Sequence, residues 1–169
     1  MSRSTPVCPI LAVGCGNPDA GEDGFGLRVT QALAARPCPG LEVVALGTRP
    51  ADLLDVLSDR TGLLVIDAAR RPDGSSGQFF DLDWYGPARR RLVFAAPLSS
   101  HGRTIADFLV LAETLELLPA RVQLLGATIA HAEPGAGLGE SCERLVMDVV
   151  RAVQRHTRRW LASSAPETC

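Results

Sequence analysis

The sequence predicts an α/β fold, a three-layer α/β/α sandwich around a mostly parallel sheet. Apolar runs of strand length alternate along the chain with segments whose apolar residues recur at helical spacing. The run at 63–66 is apolar throughout, which is typical of a parallel strand that is buried on both faces. Because parallel strands need crossover connections, the intervening helices are expected on both sides of the sheet.

The first half of the chain supplies three predicted strands and two predicted helices. In order, they are a strand over the apolar run 9–13, a helix at 25–35 with its apolar residues on one face, a strand at 41–46, a helix opened by Pro50 and the central strand at 63–66. Proline and glycine at 37–40 are expected to end the first helix. The central strand is expected to stop at Asp67, which follows its apolar run.

The second half of the chain continues the alternation and ends in a long helix. The predicted elements are a strand at 78–82, a short strand or packed connection at 91–95, an amphipathic helix at 104–118, a strand at 122–130 and a closing helix at 141–160. The apolar side of the helix at 104–118 is formed by Ile105, Phe108, Leu109, Ala112 and Leu115. In a sheet of this type, sites form outside the carboxyl ends of the strands.

Composition predicts one globular domain over residues 1–169, with a core at about 9–160 and a flexible tail at 161–169. The net charge of −2 gives no sign of a protein that binds nucleic acid or a membrane surface. Five cysteines without a C-x-x-C pair argue against a disulfide framework or a structural zinc site and favour reduced thiols in the cytoplasm. The sequence shows neither a signal peptide nor a membrane span.

The loop after the first predicted strand combines glycines with carboxylates. Its residues of these two kinds are Gly14, Gly16, Gly21 and Gly24, and Asp19, Glu22 and Asp23. A glycine-rich turn from strand to helix usually binds phosphate, because backbone N–H groups approach the anion there. Here the carboxylates would repel a phosphate, so the loop is more suited to a cation.

Two further polar residues are expected at the same edge of the sheet. Asp67 follows the central strand, and His101 precedes the amphipathic helix at 104–118. Together with an acid from the glycine loop, either Asp23 or Glu22, they could bind a divalent transition metal and leave coordination positions open. Other roles stay open for each residue alone: a turn cap or an arginine partner for Asp67, a helix cap for Asp23, and a surface position for His101.

Three other residues with reactive side chains are assigned less central roles. His131 follows the strand at 122–130 and competes with His101 as the imidazole, although a hydrogen bond within its loop is the simpler role. His156 lies between arginines of the closing helix and is expected in solvent. Cys15 is expected to be a buried, inert thiol. The chain has no G-x-S-x-G motif and no cysteine–histidine pairing that would indicate a covalent nucleophile.

An ordered set of motifs over residues 9–155 resembles the hydrogenase maturation proteases. The motifs are VGCGN at 13–17, GEDGFG at 21–26, GT at 47–48, VIDA at 65–68, SSHG at 99–102 and GLGESCERLV at 137–146. The chain departs from the family pattern in the loop GNPDAG and in the second strand, which ends in ALGT. These departures concern recognition of the substrate partner more than the activity.

The resemblance implies an endopeptidase that removes the C-terminal extension of a [NiFe]-hydrogenase large-subunit precursor after nickel insertion. It implies a three-layer α/β sandwich whose metal-binding positions carry over to Asp23, Asp67 and His101, with Glu22 as the second choice in the loop. Nickel would be supplied by the substrate, although cadmium or zinc could occupy the site. The family's grouping with aspartic-type peptidases implies catalytic roles for Asp23 and Asp67, with a carboxylate as general base or a metal that polarises the carbonyl.

Two other functions are compatible with parts of the pattern. The segment VGCGNP also resembles peptidyl-tRNA hydrolase, but that activity needs a histidine soon after the asparagine, and residues 18–35 contain none. A regulatory module that binds a nucleotide would use the glycine loop for phosphate, against the charges of Glu22 and Asp23, and no acid follows the second strand as a ribose ligand would.

Overall fold

A five-stranded sheet forms the centre of the part of the chain that the structure, a computed structural model, describes: residues 7–70, 75–87, 104–130 and 133–163. Its strands are β1 (Ile10–Cys15), β2 (Leu41–Gly47), β3 (Gly62–Arg70), β4 (Phe79–Asp83) and β5 (Arg121–Ile129). They lie in the order β2-β1-β3-β5-β4, and each neighbouring pair is parallel except the antiparallel pair of β4 and β5. The predicted α/β class with a mostly parallel sheet is therefore confirmed.

Helices cover both faces of this sheet. They are α1 (Phe25–Ala34), α2 (Leu53–Val56), α3 (Ile105–Thr114) and α4 (Glu140–Ala162), with short 3-10 turns at Gly21–Gly24 and Pro50–Asp52. Successive residues of β1 point to opposite faces, so Ile10 and Ala12 pack against α1 and α4, whereas Leu11 and Val13 pack against α2 and α3. This arrangement confirms the predicted three layers.

The central strand β3 is longer than its apolar run. Its pairing with β1 ends at Ile66 opposite Gly14, but its pairing with β5 continues as far as Arg70 opposite Ile129. The prediction that the strand stops at Asp67 is therefore wrong, because one neighbouring strand ends there and the other does not. Asp67 is the first residue of β3 beyond the end of its pairing with β1, at the carboxyl ends of the strands, where sheets of this kind form a ligand crevice.

Helix α3 is shorter than predicted. A capping box between Thr104 and Asp107 fixes its start, but it ends at Thr114, and Glu116 adopts a φ of 58°, which a helix cannot continue. The expected place of Leu115 on the buried side is wrong, since half of its surface is exposed, at 52%. The predicted segment at 91–95 lies outside the described residues. In the described part of the chain, the search for a helix long and apolar enough to cross a membrane finds none.

The start of α1 packs unusually closely on the carboxyl ends of β1 and β3. A Cβ atom on Gly26 would lie 2.2 Å from the carbonyl oxygen of Cys15 and 2.6 Å from that of Ile66. Only glycine leaves room for this contact. The glycine loop is therefore anchored where β1 and β3 end.

Candidate functional site

The loop between β1 and α1 folds back onto the end of β1. Gly16 has a φ of 124°, and a Cβ atom there would lie 1.9 Å from the carbonyl oxygen of Asp23. Its amide also donates to the carbonyl of Gly47 at 3.1 Å, which joins the loop to the end of β2. The backbone of Asp23 is therefore held directly against the carboxyl end of the strand that precedes it.

The carboxylate of Asp23 faces back into its own loop. Its Oδ2 accepts a hydrogen bond of 2.9 Å from the amide of Asn17. The Asn17 side chain in turn accepts from the amide of Asp19 at 3.0 Å. Helix α1 has Gly24 as its N-cap residue, so Asp23 does not occupy the capping position that the sequence left open. This hydrogen bond uses one of the two carboxylate oxygens.

Asp67 lies in the crevice beside this loop. The alternation that turns Leu63 and Val65 of β3 toward α2 and α3 turns Asp67 the same way. Its Oδ1 accepts a 2.8 Å hydrogen bond from the amide of Ala68. Burial raises the pKa of the Asp67 carboxyl to about 7, the Ala68 hydrogen bond lowers it in part, and the charge of Asp23 raises it further.

The two aspartates therefore occupy one electrostatic environment, and Cys15 shares it. Burial raises the pKa of the Cys15 thiol well above its usual value, and the charges of Asp67 and Asp23 add to the rise. The thiol is consequently protonated at neutral pH, as expected of an inert buried cysteine. A proton or a cation would relieve the repulsion between Asp23 and Asp67.

Among the described residues, the candidate metal ligands at this site are the carboxylates of Asp23 and Asp67. Within the described residues, no group of three histidine, cysteine, aspartate or glutamate side chains is arranged to hold a metal ion. His101, predicted as the third ligand, and His131, its competitor, lie outside the described residues. Carboxylate oxygens are suitable donors for a divalent cation, and two of them leave most coordination positions to other ligands.

Solved structures identify the fold to which this crevice belongs. The hydrogenase maturating endopeptidase HybD from E. coli is 25% identical over 89% of this chain and 92% of its own, with a TM-score of 0.77. The hydrogenase 2 maturation peptidase from Thaumarchaeota archaeon SCGC_AB-539-E09 is 25% identical over 87% of this chain and 96% of its own, with a TM-score of 0.65. The chain is a structural relative of the hydrogenase maturation endopeptidases.

The fold likeness extends to more distant maturation endopeptidases. The [NiFe] hydrogenase maturation protease HybD from Thermococcus kodakarensis is 22% identical over 88% of this chain and 98% of its own, with a TM-score of 0.72. No protein-family model and no curated protein matches the chain. The resemblance predicted from the ordered motifs is therefore confirmed by structure.

Glu22, the neighbour of Asp23 in the glycine loop, contacts a different part of the molecule. Its Oε2 accepts a 3.1 Å hydrogen bond from the amide of Ala130, directly after β5. Its Oε1 lies 3.6 Å from the Sγ atom of Cys142 in the first turn of α4. These partners are 108 and 120 residues away in sequence, so local pattern alone does not indicate them.

His156 is not exposed as predicted from its arginine neighbours. Only 5% of its surface is accessible, and its Nε2 lies 2.9 Å from Oδ2 of Asp81 on β4. Burial alone would raise the pKa of Asp81, but hydrogen bonds from His156 and Gln123 and the charges of His156 and Arg155 lower it overall. The prediction failed because the carboxylate partner lies 75 residues away in sequence. This imidazole stabilises the contact between β4 and α4.

Proposed function

We propose that the protein is an endopeptidase that removes the C-terminal extension of a [NiFe]-hydrogenase large-subunit precursor after nickel insertion. The observation that carries this proposal is the charge interaction between Asp23 and Asp67, which lie after β1 and just after the end of the pairing of β3 with β1, respectively, in a fold shared with hydrogenase maturation endopeptidases. In parallel sheets of this kind, the crevice outside the strand ends is where ligands bind. All four described cysteines are free, as a reducing cytoplasmic compartment requires.

Nickel enters this proposal as part of the substrate. Asp67 and Asp23 repel each other in a partly buried crevice, so a divalent cation brought by the precursor would be bound more strongly than a neutral peptide. The precursor's own cysteines would supply the soft ligands. Asp23, Asp67 and His101 would complete the coordination, and cadmium or zinc could occupy the same oxygen-rich position.

One of the two carboxylates would act as the general base in hydrolysis. A base works best when its pKa lies near the working pH, and burial raises the pKa of Asp67 to about 7. An Asp67 carboxylate that is not coordinated to the nickel can therefore take a proton from an attacking water at neutral pH, whereas a coordinated cation would lower its pKa. The thiol of Cys15 is unsuitable as a nucleophile, because its raised pKa keeps it protonated.

The proposal is tested by incubation of the purified protein with a nickel-loaded and a nickel-free large-subunit precursor. Mass spectrometry of the precursor's C-terminus measures cleavage. We expect cleavage of the nickel-loaded form only. Equal cleavage of both forms, or of neither, contradicts the proposal.

Residue-level tests use matched aspartate substitutions. Asp67→Asn and Asp23→Asn each remove one charge at nearly constant size, and both should abolish processing. Asp55→Asn is the control, because Asp55 is an exposed residue of α2 on the surface of the protein. Normal processing by both site variants would place the active site elsewhere.

A further inference from the structure

Glu22 links three segments that are far apart in sequence. From the 3-10 turn between β1 and α1, its carboxylate reaches the amide of Ala130 after β5 and the thiol of Cys142 in α4. It also packs closely on the N-cap residue of α4, since a Cβ atom on Gly139 would lie 2.6 Å from Oε1 of Glu22. Both carboxylate oxygens of Glu22 thus have partners outside the glycine loop.

The environment of Glu22 suits a fixed carboxylate. The first turn of a helix has unsatisfied N–H groups and a partial positive charge, and the N-cap residue of α4, Gly139, has no side chain with which to compensate them. Burial, together with the charge and hydrogen bond of Glu22, raises the pKa of the Cys142 thiol to about 11. The thiol therefore stays protonated and remains a donor to Glu22.

Backbone contacts between the same two loops reinforce this link. The amide of Gly135 donates to the carbonyl of Asp19 at 3.0 Å. Gly21 lies so close to the following loop that a Cβ atom there would be 2.8 Å from the carbonyl oxygen of Glu133. The glycine loop thus contacts the β5–α4 connection at Asp19 and Gly21, both of which precede Glu22 in sequence.

The geometry of the turn connects Glu22 to its neighbour. Glu22 and Asp23 are consecutive residues of the 3-10 turn Gly21–Gly24. Successive side chains of such a turn point about 120° apart, because it has three residues per turn. Fixing Glu22 against β5 and α4 therefore fixes Asp23 on the other side, where it accepts from Asn17 and influences Asp67.

We propose that Glu22 is a positioning residue that holds the glycine loop in the register that places the charge of Asp23 near Asp67. The role in catalysis rests on the proposed function, whereas the role in loop geometry does not. Glu22 is then neither a metal ligand nor a base, and Asp23 is the loop acid that meets the substrate. A neutral side chain with an acceptor at the same place should preserve much of this role.

The geometric part is tested by amide hydrogen exchange, without any substrate. The amide of Ala130 reports the Glu22 contact, and the amide of Asn17 reports the position of the Asp23 carboxylate. Glu22→Ala should accelerate exchange at both amides by about tenfold or more, as expected for loss of a hydrogen bond. Asp23→Asn should not accelerate exchange at Ala130. Glu140→Ala is the control. Glu140 lies in the first turn of α4, like the Cys142 partner of Glu22, but its side chain is 86% exposed.

The catalytic part is tested by rescue with the conservative variant. On a nickel-loaded precursor, Glu22→Ala should lower kcat/KM by about 100-fold, the effect of a small misplacement of a reacting group. Glu22→Gln keeps an acceptor for Ala130 and should stay within about tenfold of the wild type, because a net hydrogen-bond contribution is of that order. Asp23→Asn should be as inactive as Asp23→Ala, because a ligand or base needs the carboxylate.

Two results would overturn the positioning role. One is fast exchange at Ala130 in Glu22→Ala with unchanged exchange at Asn17. The other is Glu22→Gln as inactive as Glu22→Ala, with normal exchange at Asn17. If the wild type cleaves no precursor, the proposed function fails and the exchange data alone decide the positioning role. If Glu22→Ala does not fold, Glu22→Asp, whose carboxylate is one methylene shorter, is measured in its place with the same expectation.

Discussion

Substitution of Asp67 by asparagine should stabilise the folded protein above neutral pH while it abolishes processing. In the folded chain, burial and the charge of Asp23 raise the pKa of Asp67 to about 7 from an ordinary value of 3.8. Asparagine keeps an oxygen that can accept the hydrogen bond from Ala68, which Asp67 accepts at 2.8 Å. It removes the charge that opposes Asp23. Asp67 therefore lowers the stability of the folded protein at a pH at which it is ionised.

The sign and the size of the effect follow from proton linkage. A carboxyl with a raised pKa binds its proton more tightly in the folded chain than in the unfolded chain. Its contribution to the free energy of unfolding is therefore fully present below pH 3.8 and is lost as the pH rises through 7. The difference between the ordinary pKa of 3.8 and the folded-state pKa of about 7 corresponds to about 4 kcal/mol in the free energy of unfolding. Solvent screening of a partly exposed side chain reduces this to about 2 kcal/mol.

Urea unfolding of the wild type and of Asp67→Asn between pH 4 and pH 8 measures this effect. The two free energies of unfolding should be similar near pH 4, and the variant should become more stable by about 2 kcal/mol at pH 8. Asp55→Asn, on the exposed surface of α2, should show no such divergence. A difference between wild type and Asp67→Asn that does not change with pH, or a variant less stable than the wild type at pH 8, would refute the argument.

Three further predictions concern packing, the buried imidazole and the thiol in the crevice. Gly26→Ala should destabilise the fold by about 3 kcal/mol in urea unfolding, because the new methyl group would overlap the carbonyl oxygen of Cys15. Asp81→Ala should cost about 2 kcal/mol near neutral pH, because it leaves the buried His156 without its carboxylate. The lowered pKa of Asp81 means that its contribution is present above pH 3.8 and is lost as the pH falls through the folded value, so acid should narrow the difference between wild type and variant. Asp148→Ala, at an exposed pair, is the control for that comparison. Cys15 should react with a thiol reagent at pH 8 only at the rate of unfolding, which mass spectrometry of the modified protein measures.

The pattern of the sequence predicts the layers of the fold better than the ends of its elements. The continuous apolar run at 63–66 predicts a strand that is buried on both faces, and β3 does lie at the centre of the sheet. The pattern does not report how far the neighbouring strands extend. The run 63–66 ends in sequence at Asp67, but β3 continues because β5 still pairs with it.

The site shows the same division between local and distant information. Asp67 is predictable because a charge after an apolar run is expensive unless it has a function or a partner. Glu22 and Asp23 are adjacent acids in one loop, and their different environments depend on contacts 108 and 6 residues away in sequence. The burial of His156 likewise depends on Asp81 in another element. A single sequence does not indicate such partners.

The free energy that the folded chain loses when Asp67 ionises also bears on how a hydrogenase precursor could be recognised. About 2 kcal/mol is lost when Asp67 ionises, because burial and, to a smaller extent, the charge of Asp23 oppose its ionisation, and a cation that pairs with the ionised carboxylate returns up to this energy. A returned 2 kcal/mol corresponds to about 30-fold in affinity. Under the proposed function, a precursor that carries nickel gains this factor and a nickel-free precursor does not. In Asp67→Asn the preference for the nickel-loaded form should therefore fall by up to about 30-fold, and an undiminished preference, measured by calorimetry, would place the discrimination outside Asp67.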